Sequence, residues 1–115
     1  MNPIGRPLSE ITFEDVEEYC RERRPETTEL DYKRQLPKDL SKHIAAMSNT
    51  LGGVIIIGVE EDATGHPDKW EGVPDDGKQI DQIYQHAANV KPYPTCYVHK
   101  TDAKAGKVFL LVQNP

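Results

Sequence analysis

The sequence predicts an α/β (α+β) domain in which a mixed β-sheet is packed by about three helices. The main observation is that Val54 to Val59 is apolar except for Gly58 and rich in β-branched residues. That composition is typical of a central strand buried on both faces. Amphipathic segments at helical spacing lie before and after it, and two short strand-like segments near the end indicate a hairpin. The predicted order is α-β-α-β-α-β-β.

The first predicted element is a helix that begins after Thr12. Residues 1–8 contain two prolines and a glycine and are expected to form a lead without anchoring contacts. Thr12 can cap the helix, and Asp15 completes a shortened capping box. Pro25 follows its end. Acidic residues in the first turns and arginines in the last suit the helix dipole.

A strand and a second helix come next. Residues 28–33 alternate, with Leu30 and Tyr32 on one face and charged side chains on the other, which predicts a half-exposed strand. Residues 38–51 carry apolar side chains three and four apart, which predicts a helix. Gly52 and Gly53 permit a sharp turn from this helix into the central strand.

The last third of the chain predicts one helix and a hairpin. Residues 70–73 are expected to form a short edge segment, and residues 78–90 a third amphipathic helix. Residues 95–100 and 107–113 are predicted to be two strands joined by a turn at residues 102–106.

Composition limits the classes of protein to consider. A chain of 115 residues fits a single domain, residues 1–115, and its abrupt end after an apolar strand predicts a C-terminally truncated fragment of a longer protein. No membrane span or signal peptide is recognisable, and two distant cysteines do not suggest a disulfide framework, so a cytoplasmic location is expected. The net charge of −5 argues against a protein that coats nucleic acid with its whole surface.

Carboxylates from separate segments form the first candidate site. Glu26, Asp31 and Glu60 or Glu61 could hold Mg²⁺ or Mn²⁺ for phosphodiester cleavage, because hard cations prefer oxygen ligands. Lys33 lies on the same strand face as Asp31 and could contact a phosphate oxygen. Glu26 and Asp31 are an odd number of residues apart, so they converge only if Glu26 lies in the turn before the strand. The alternative is a solvated edge strand and a charged turn.

Basic residues form the second candidate site. Lys38 and Lys42 share a helix face four residues apart, close to backbone N–H groups at the helix start. Such a patch could bind a nucleic-acid backbone; its alternative is an ordinary solvated helix face. The full set is Lys33, Arg34, Lys38, Lys42 and His43.

Asn49, beside Gly52 and Gly53, could hold a turn or a ligand phosphate, and a structural role is the competing interpretation. The chain contains no P-loop motif, which excludes a P-loop ATPase.

Two motifs carry a family resemblance. Glu26-Thr-Thr-Glu-Leu-Asp-Tyr-Lys33 resembles the Glu-Ser-x-x-x-Glu-Phe-Lys segment of the Schlafen AlbA-like domain. Ile44-Ala-Ala-Met-Ser-Asn-Thr-Leu-Gly-Gly-Val-Ile-Ile-Ile-Gly-Val-Glu-Glu61 is similar to that family's Ala-Phe-Ala-Asn-Thr-x-Gly-Gly … Gly-Val-Asp-Asp core. Asp31 stands where the family has Glu, and Glu60 and Glu61 stand where it has Asp.

The resemblance implies two functions. Bacterial members are mostly described as nucleic-acid-binding regulatory modules, whereas Schlafen relatives cut structured RNA at a three-carboxylate metal site. We therefore expect a nucleic-acid-binding module that contacts DNA or RNA phosphates and does not act at a membrane. The alternatives are a divalent-metal-dependent endoribonuclease and a protein-interaction or homo-oligomerisation domain. The residues expected to contact nucleic acid are Lys33, Arg34, Lys38, Lys42 and Asn49, and those expected to act in catalysis are Glu26, Asp31, Lys33, Glu60 and Glu61.

Overall fold

A computed structural model describes residues 4–48, 52–91 and 94–114. The helices are α1 (Phe13–Arg21), α2 (Leu40–Ser48) and α3 (Gln79–Ala88), and a short 3₁₀ helix, Leu8–Glu10, precedes them. The strands are β1 (Leu30–Lys33), β2 (Gly53–Ile57), β3 (Glu60–Glu61), β4 (Pro67–Lys69), β5 (Val73–Pro74), β6 (Tyr97–Lys100), β7 (Lys107–Val108) and β8 (Leu110–Asn114). Within the described ranges, no helix has the length and apolar character that a membrane crossing requires.

The main sheet has four strands in the order β1-β2-β8-β6. β1 runs parallel to β2, and β8 is antiparallel to both β2 and β6. Two small two-stranded sheets, β3-β4 and β5-β7, accompany it. The predicted mixed sheet and the predicted antiparallel pairing near the end of the chain are thus confirmed.

The central strand β2 is buried throughout, because helices cover both faces of the sheet. Its side chains alternate between the faces. Val54 and Ile56 pack into a core with α1, whereas Ile55 and Ile57 pack into a second core with α2 and α3. Full burial of one such side chain stabilises the fold by about 1.5–3 kcal/mol. The molecule therefore has three layers, with the sheet in the middle.

Several strand boundaries differ from the prediction, and two of the differences have a clear physical cause. β2 ends at Ile57 rather than Val59, because the amides of Gly58 and Val59 both donate to the Lys33 carbonyl oxygen, at 2.7 and 3.1 Å. Because two consecutive amides share one acceptor, and Gly58 has φ +115°, the regular pairing of β2 with β1 ends there. The predicted strand 107–113 is divided at Phe109, whose amide donates to Thr101 Oγ1 at 3.0 Å.

The prediction that the first eight residues have no anchoring contacts is wrong for the part that the structure describes: Arg6 Nη1 lies 3.1 Å from Asp15 Oδ2, and Ile4 packs against the core. Leu8 is only 7% exposed, and it packs in the same core as α1 because this apolar side chain can be withdrawn from water there. The predicted capping box is present: Thr12 Oγ1 accepts from the Asp15 amide at 3.1 Å, and Asp15 Oδ2 accepts from the Thr12 amide at 2.9 Å.

Candidate functional site

Three carboxylates that are distant in sequence meet at the edge of the main sheet. Glu26, Asp31 and Glu61 each offer a carboxylate oxygen, and these oxygens all lie within 4.8 Å of one another. Glu26 is exposed, and Asp31 and Glu61 are half-buried. We call this group the carboxylate cluster. Its oxygens are close enough together to share one cation.

A tight turn brings Glu26 beside Asp31. Thr27 and Leu30 form an antiparallel bridge, with hydrogen bonds in both directions between their backbones. In that register Glu26 stands opposite Asp31, and opposite residues of an antiparallel pair project to the same face. The odd spacing therefore does not separate the two carboxylates, because the chain reverses between them.

Glu61 reaches the cluster because β3 lies against β1. The turn that follows β3 is tied to the segment before β1, where the Glu26 amide donates to the Gly65 carbonyl oxygen at 2.7 Å. Glu60 does not join the cluster. Neighbouring residues of an extended segment project to opposite sides, and Glu60 instead lines a groove with Arg34 and Lys69.

The electrostatics of the cluster centre on Asp31. Burial raises the pKa of Asp31 to about 6, and its hydrogen bond with Glu26 acts in the same direction. Lys33 opposes this shift, with its Nζ 3.2 Å from Asp31 Oδ2. Two carboxylates at such distances repel each other by about 4 kcal/mol near a protein surface, so one lysine compensates the cluster only in part.

The cluster has features that suit a divalent cation. Glu61 Oε2 is buried and has no hydrogen-bond partner among the residues that the structure describes. Such an oxygen costs free energy unless something pairs with it. Three ionised carboxylates and Lys33 sum to a charge of about −2, which one Mg²⁺ or Mn²⁺ would neutralise. The donor set is all oxygen, as these ions prefer.

The predicted basic set divides into two parts. Lys33 pairs with Asp31, and His43 lies between two carboxylates, 3.8 Å from Asp31 Oδ2 and 3.5 Å from Asp39 Oδ1. By contrast, Arg34, Lys38 and Lys42 are exposed, and within the described part of the chain they form no ion pair. They lie between the end of β1 and the first turn of α2. Asn49 lies outside the described residues.

The three arginines at and directly after the end of α1 differ from Arg34, Lys38 and Lys42, because they all form ion pairs. Each of them pairs with a carboxylate at 3.2 to 3.6 Å: Arg21 with Glu18, Arg23 with Asp62 and Arg24 with Glu22.

The structure also forms a groove that sequence reasoning did not find. It has a volume of about 300 Å³ and begins where β1 and β2 end. Arg34, Lys69 and Lys107 line it together with Glu60 and Glu71, and Gly58 and Gly72 lie between them. No sequence motif joins these residues, because they come from four separate segments.

Comparison with known proteins shows similarity to one protein family and to solved structures. The family model described as Schlafen, AlbA_2 matches residues 26–115. The solution NMR structure of the N-terminal domain of an ATP-dependent DNA helicase RecG-related protein from Nitrosomonas europaea is similar, with a TM-score of 0.58 and 24% sequence identity. That match covers 91% of this chain and 73% of the other, and it shows a shared fold. No curated protein sequence gives a significant match.

Proposed function

This chain belongs to the Schlafen, AlbA_2 family, and from that premise we propose that it is a nucleic-acid-binding regulatory module. The observation that carries the proposal is the set of unpaired cations between β1 and α2. Arg34, Lys38 and Lys42 are exposed, and no carboxylate of the described residues competes for them. A protein of this fold is named as related to a DNA helicase, which supports a nucleic-acid partner.

The role of each residue follows from its surroundings. Lys38 and Lys42 contact backbone phosphates, which carry affinity without reading sequence. Arg34 extends the contact toward the end of β1. Lys33 remains with Asp31 until a phosphate oxygen competes for it. Since the whole chain has a net charge of −5, binding is confined to this side rather than spread over the surface.

Salt dependence tests the proposal. A fluorescein-labelled single-stranded oligonucleotide is titrated with protein at several salt concentrations, and anisotropy gives the dissociation constant. Each lost phosphate contact lowers the slope of log K against log salt by about 0.7 for single strands. The double variant Lys38→Ala/Lys42→Ala is therefore expected to reduce that slope by about 1.4.

The control is Lys78→Ala/Lys91→Ala, which removes two exposed lysines on either side of α3 that are not among the proposed phosphate contacts and have no ion pair within the described part of the chain. It should leave the slope unchanged. Absent binding, or binding that is insensitive to salt, would refute the proposal.

A second candidate function rests on the carboxylate cluster, with the buried, unpartnered Glu61 Oε2 as the specific observation. We propose that Glu26, Asp31 and Glu61 hold Mg²⁺ or Mn²⁺ and that the chain cuts RNA. When bound, the cation would stabilise the negative charge that develops on the phosphate while water attacks phosphorus and the P–O bond breaks, and the leaving oxygen takes up a proton from solvent. Lys33 donates to a non-bridging phosphate oxygen, and the His43 imidazole, with Nδ1 3.8 Å from Asp31 Oδ2, accepts the proton that the attacking water releases.

Cleavage of transfer RNA in Mn²⁺ tests this candidate. Asp31→Asn and Glu61→Gln are expected to lower the rate by at least a hundredfold, because each removes a ligand charge from the cluster. The matched control is Glu29→Gln, a carboxylate of the same turn that is not in the cluster. Equal cleavage rates in the native chain and all three variants, or cleavage in the presence of EDTA, would exclude the metal-dependent nuclease.

A further inference from the structure

The groove lined by Arg34, Lys69 and Lys107 lies directly beyond the ends of the parallel strands β1 and β2. In sheets of this kind ligands bind outside the carboxyl ends of the strands. All three cations line the groove, and none of them forms an ion pair within the described part of the chain. Their charge is therefore available to a ligand.

The carboxylates of the groove neutralise these cations only in part. Glu60 stands opposite Lys69 in the β3-β4 ladder, and neither Glu60 nor Glu71 lies within ion-pair distance of a described cation. Three positive and two negative groups leave a charge of about +1 in a chain whose total is −5. The groove is thus locally positive on an acidic protein, and its size and modest charge suit a single phosphate rather than an extended polyanion.

Two glycines, Gly58 and Gly72, lie between the charged side chains of the groove. The Gly72 amide donates to the Gly58 carbonyl oxygen at 3.0 Å, and both residues have positive φ, +75° and +115°. A Cβ on Gly58 would meet Gly72 Cα at 2.7 Å, and one on Gly72 would meet the Val108 carbonyl oxygen at 2.8 Å. These positions therefore require glycine, because neighbouring main chain and the Phe109 ring pack closely against them and fix the backbone between the charged side chains.

The groove adjoins the carboxylate cluster through two pairs of consecutive residues. Lys33 belongs with the cluster and Arg34 with the groove; likewise Glu61 belongs with the cluster and Glu60 with the groove. Consecutive Cα atoms are about 3.8 Å apart, so the two features are separated by little more than the width of an extended chain.

We propose that this groove is a phosphate-binding site, formed by Arg34, Lys69 and Lys107 over Gly58 and Gly72. Its ligand is a phosphate group, carried either by a nucleic-acid strand or by a small phosphorylated molecule. In the first case the groove holds a phosphate next to the one at the carboxylate cluster, and this assignment rests on the proposed function.

The test is an NMR titration of the ¹⁵N-labelled chain with two probes, inorganic pyrophosphate and a 5′-phosphorylated single-stranded oligonucleotide. Both probes are expected to shift the amide signals of Gly58 and Gly72. Lys69→Gln/Lys107→Gln should weaken pyrophosphate binding at least tenfold, whereas Lys78→Gln/Lys91→Gln should change it less than twofold. The amide spectra of the free variants verify that each is folded.

The outcomes separate the two proposals. If pyrophosphate shifts the Gly58 and Gly72 amide signals and the oligonucleotide does not bind, the groove is a site for small phosphorylated molecules. The same result would refute the proposed nucleic-acid binding. Oligonucleotide binding that depends on Lys38 and Lys42, with the Gly58 and Gly72 amide signals unmoved by either probe, would overturn the groove proposal alone. Pyrophosphate affinity that is unchanged in the Lys69/Lys107 variant would also overturn it.

Discussion

Asp31 is the residue in which burial and chemistry conflict most clearly. Its neighbours in β1, Leu30 and Tyr32, are buried in the core with α1, so the strand's position is fixed by packing. The alternation of the strand then directs Asp31 to the opposite face, beside Glu26 and Glu61. The packing of Leu30 and Tyr32 therefore holds the Asp31 carboxylate close to two other carboxylates, although these apolar residues take no part in the chemistry.

The raised pKa of Asp31 predicts a pH-dependent loss of stability in metal-free protein. The folded state holds this proton up to about pH 6, whereas the unfolded chain releases it near 3.8. The contribution of Asp31 to the free energy of unfolding is therefore lost as pH rises from about 4 to 6 and is constant above 7.

The shift corresponds to a loss on the order of 2 to 3 kcal/mol. Asp31→Asn removes the ionisation, so its free energy of unfolding relative to the native chain should increase by that amount between pH 4 and pH 7.5. Urea unfolding in EDTA at the two pH values measures this. A difference between the two proteins that is the same at both pH values would contradict the assignment.

At the scale of elements, the start of β2 depends on Gly53. Its φ is +148°, and a Cβ there would collide with the Glu29 backbone, whose carbonyl oxygen accepts from the Val54 amide at 2.8 Å. This close approach begins the parallel pairing of β1 with β2, and so it also positions the turn that carries Glu26.

Gly53→Ala is therefore expected to destabilise the fold by about 2–4 kcal/mol, through backbone strain together with a clash against main chain that cannot move aside. Gly77→Ala is the matched control, because Gly77 has φ +74° but open space where a Cβ would lie. It should cost about 1 kcal/mol. Chemical denaturation of the two variants measures the difference, and equal losses would show that the contact with Glu29 is unimportant.

Helices and strands were predictable where the spacing of apolar residues in the sequence reflects which side chains are buried. The apolar run of β2 and the three-and-four spacing of α2 and α3 reflect the two cores directly, and both were predicted. The end of β2 was not predictable, because it depends on two amides that converge on the Lys33 carbonyl oxygen across strands. The burial of Leu8 was not predictable, because a single apolar residue close to two prolines and a glycine has no periodic pattern that would indicate contact with the core.

At the scale of the whole molecule, the sequence could name the carboxylates but could not choose between Glu60 and Glu61. That choice depends on which side of β3 faces β1, which is a property of the tertiary fold. The groove was out of reach for the same reason: Lys69 and Lys107 are 38 positions apart in the sequence and meet only in the fold. The basic residues between β1 and α2 were predictable as a set, but not their freedom from ion pairs.

The proposed phosphate contacts and the proposed cation site together lead to one central claim: the cations following β1 and the carboxylate cluster, with its metal ion, bind the same nucleic-acid ligand. The most direct measurement is the anisotropy of a labelled oligonucleotide at constant ionic strength, with Mn²⁺ or with EDTA. We predict that Mn²⁺ tightens binding at least tenfold for the native chain and for Glu29→Gln, but not for Glu61→Gln. Affinity that does not respond to Mn²⁺, or that responds equally in Glu61→Gln, would contradict the account.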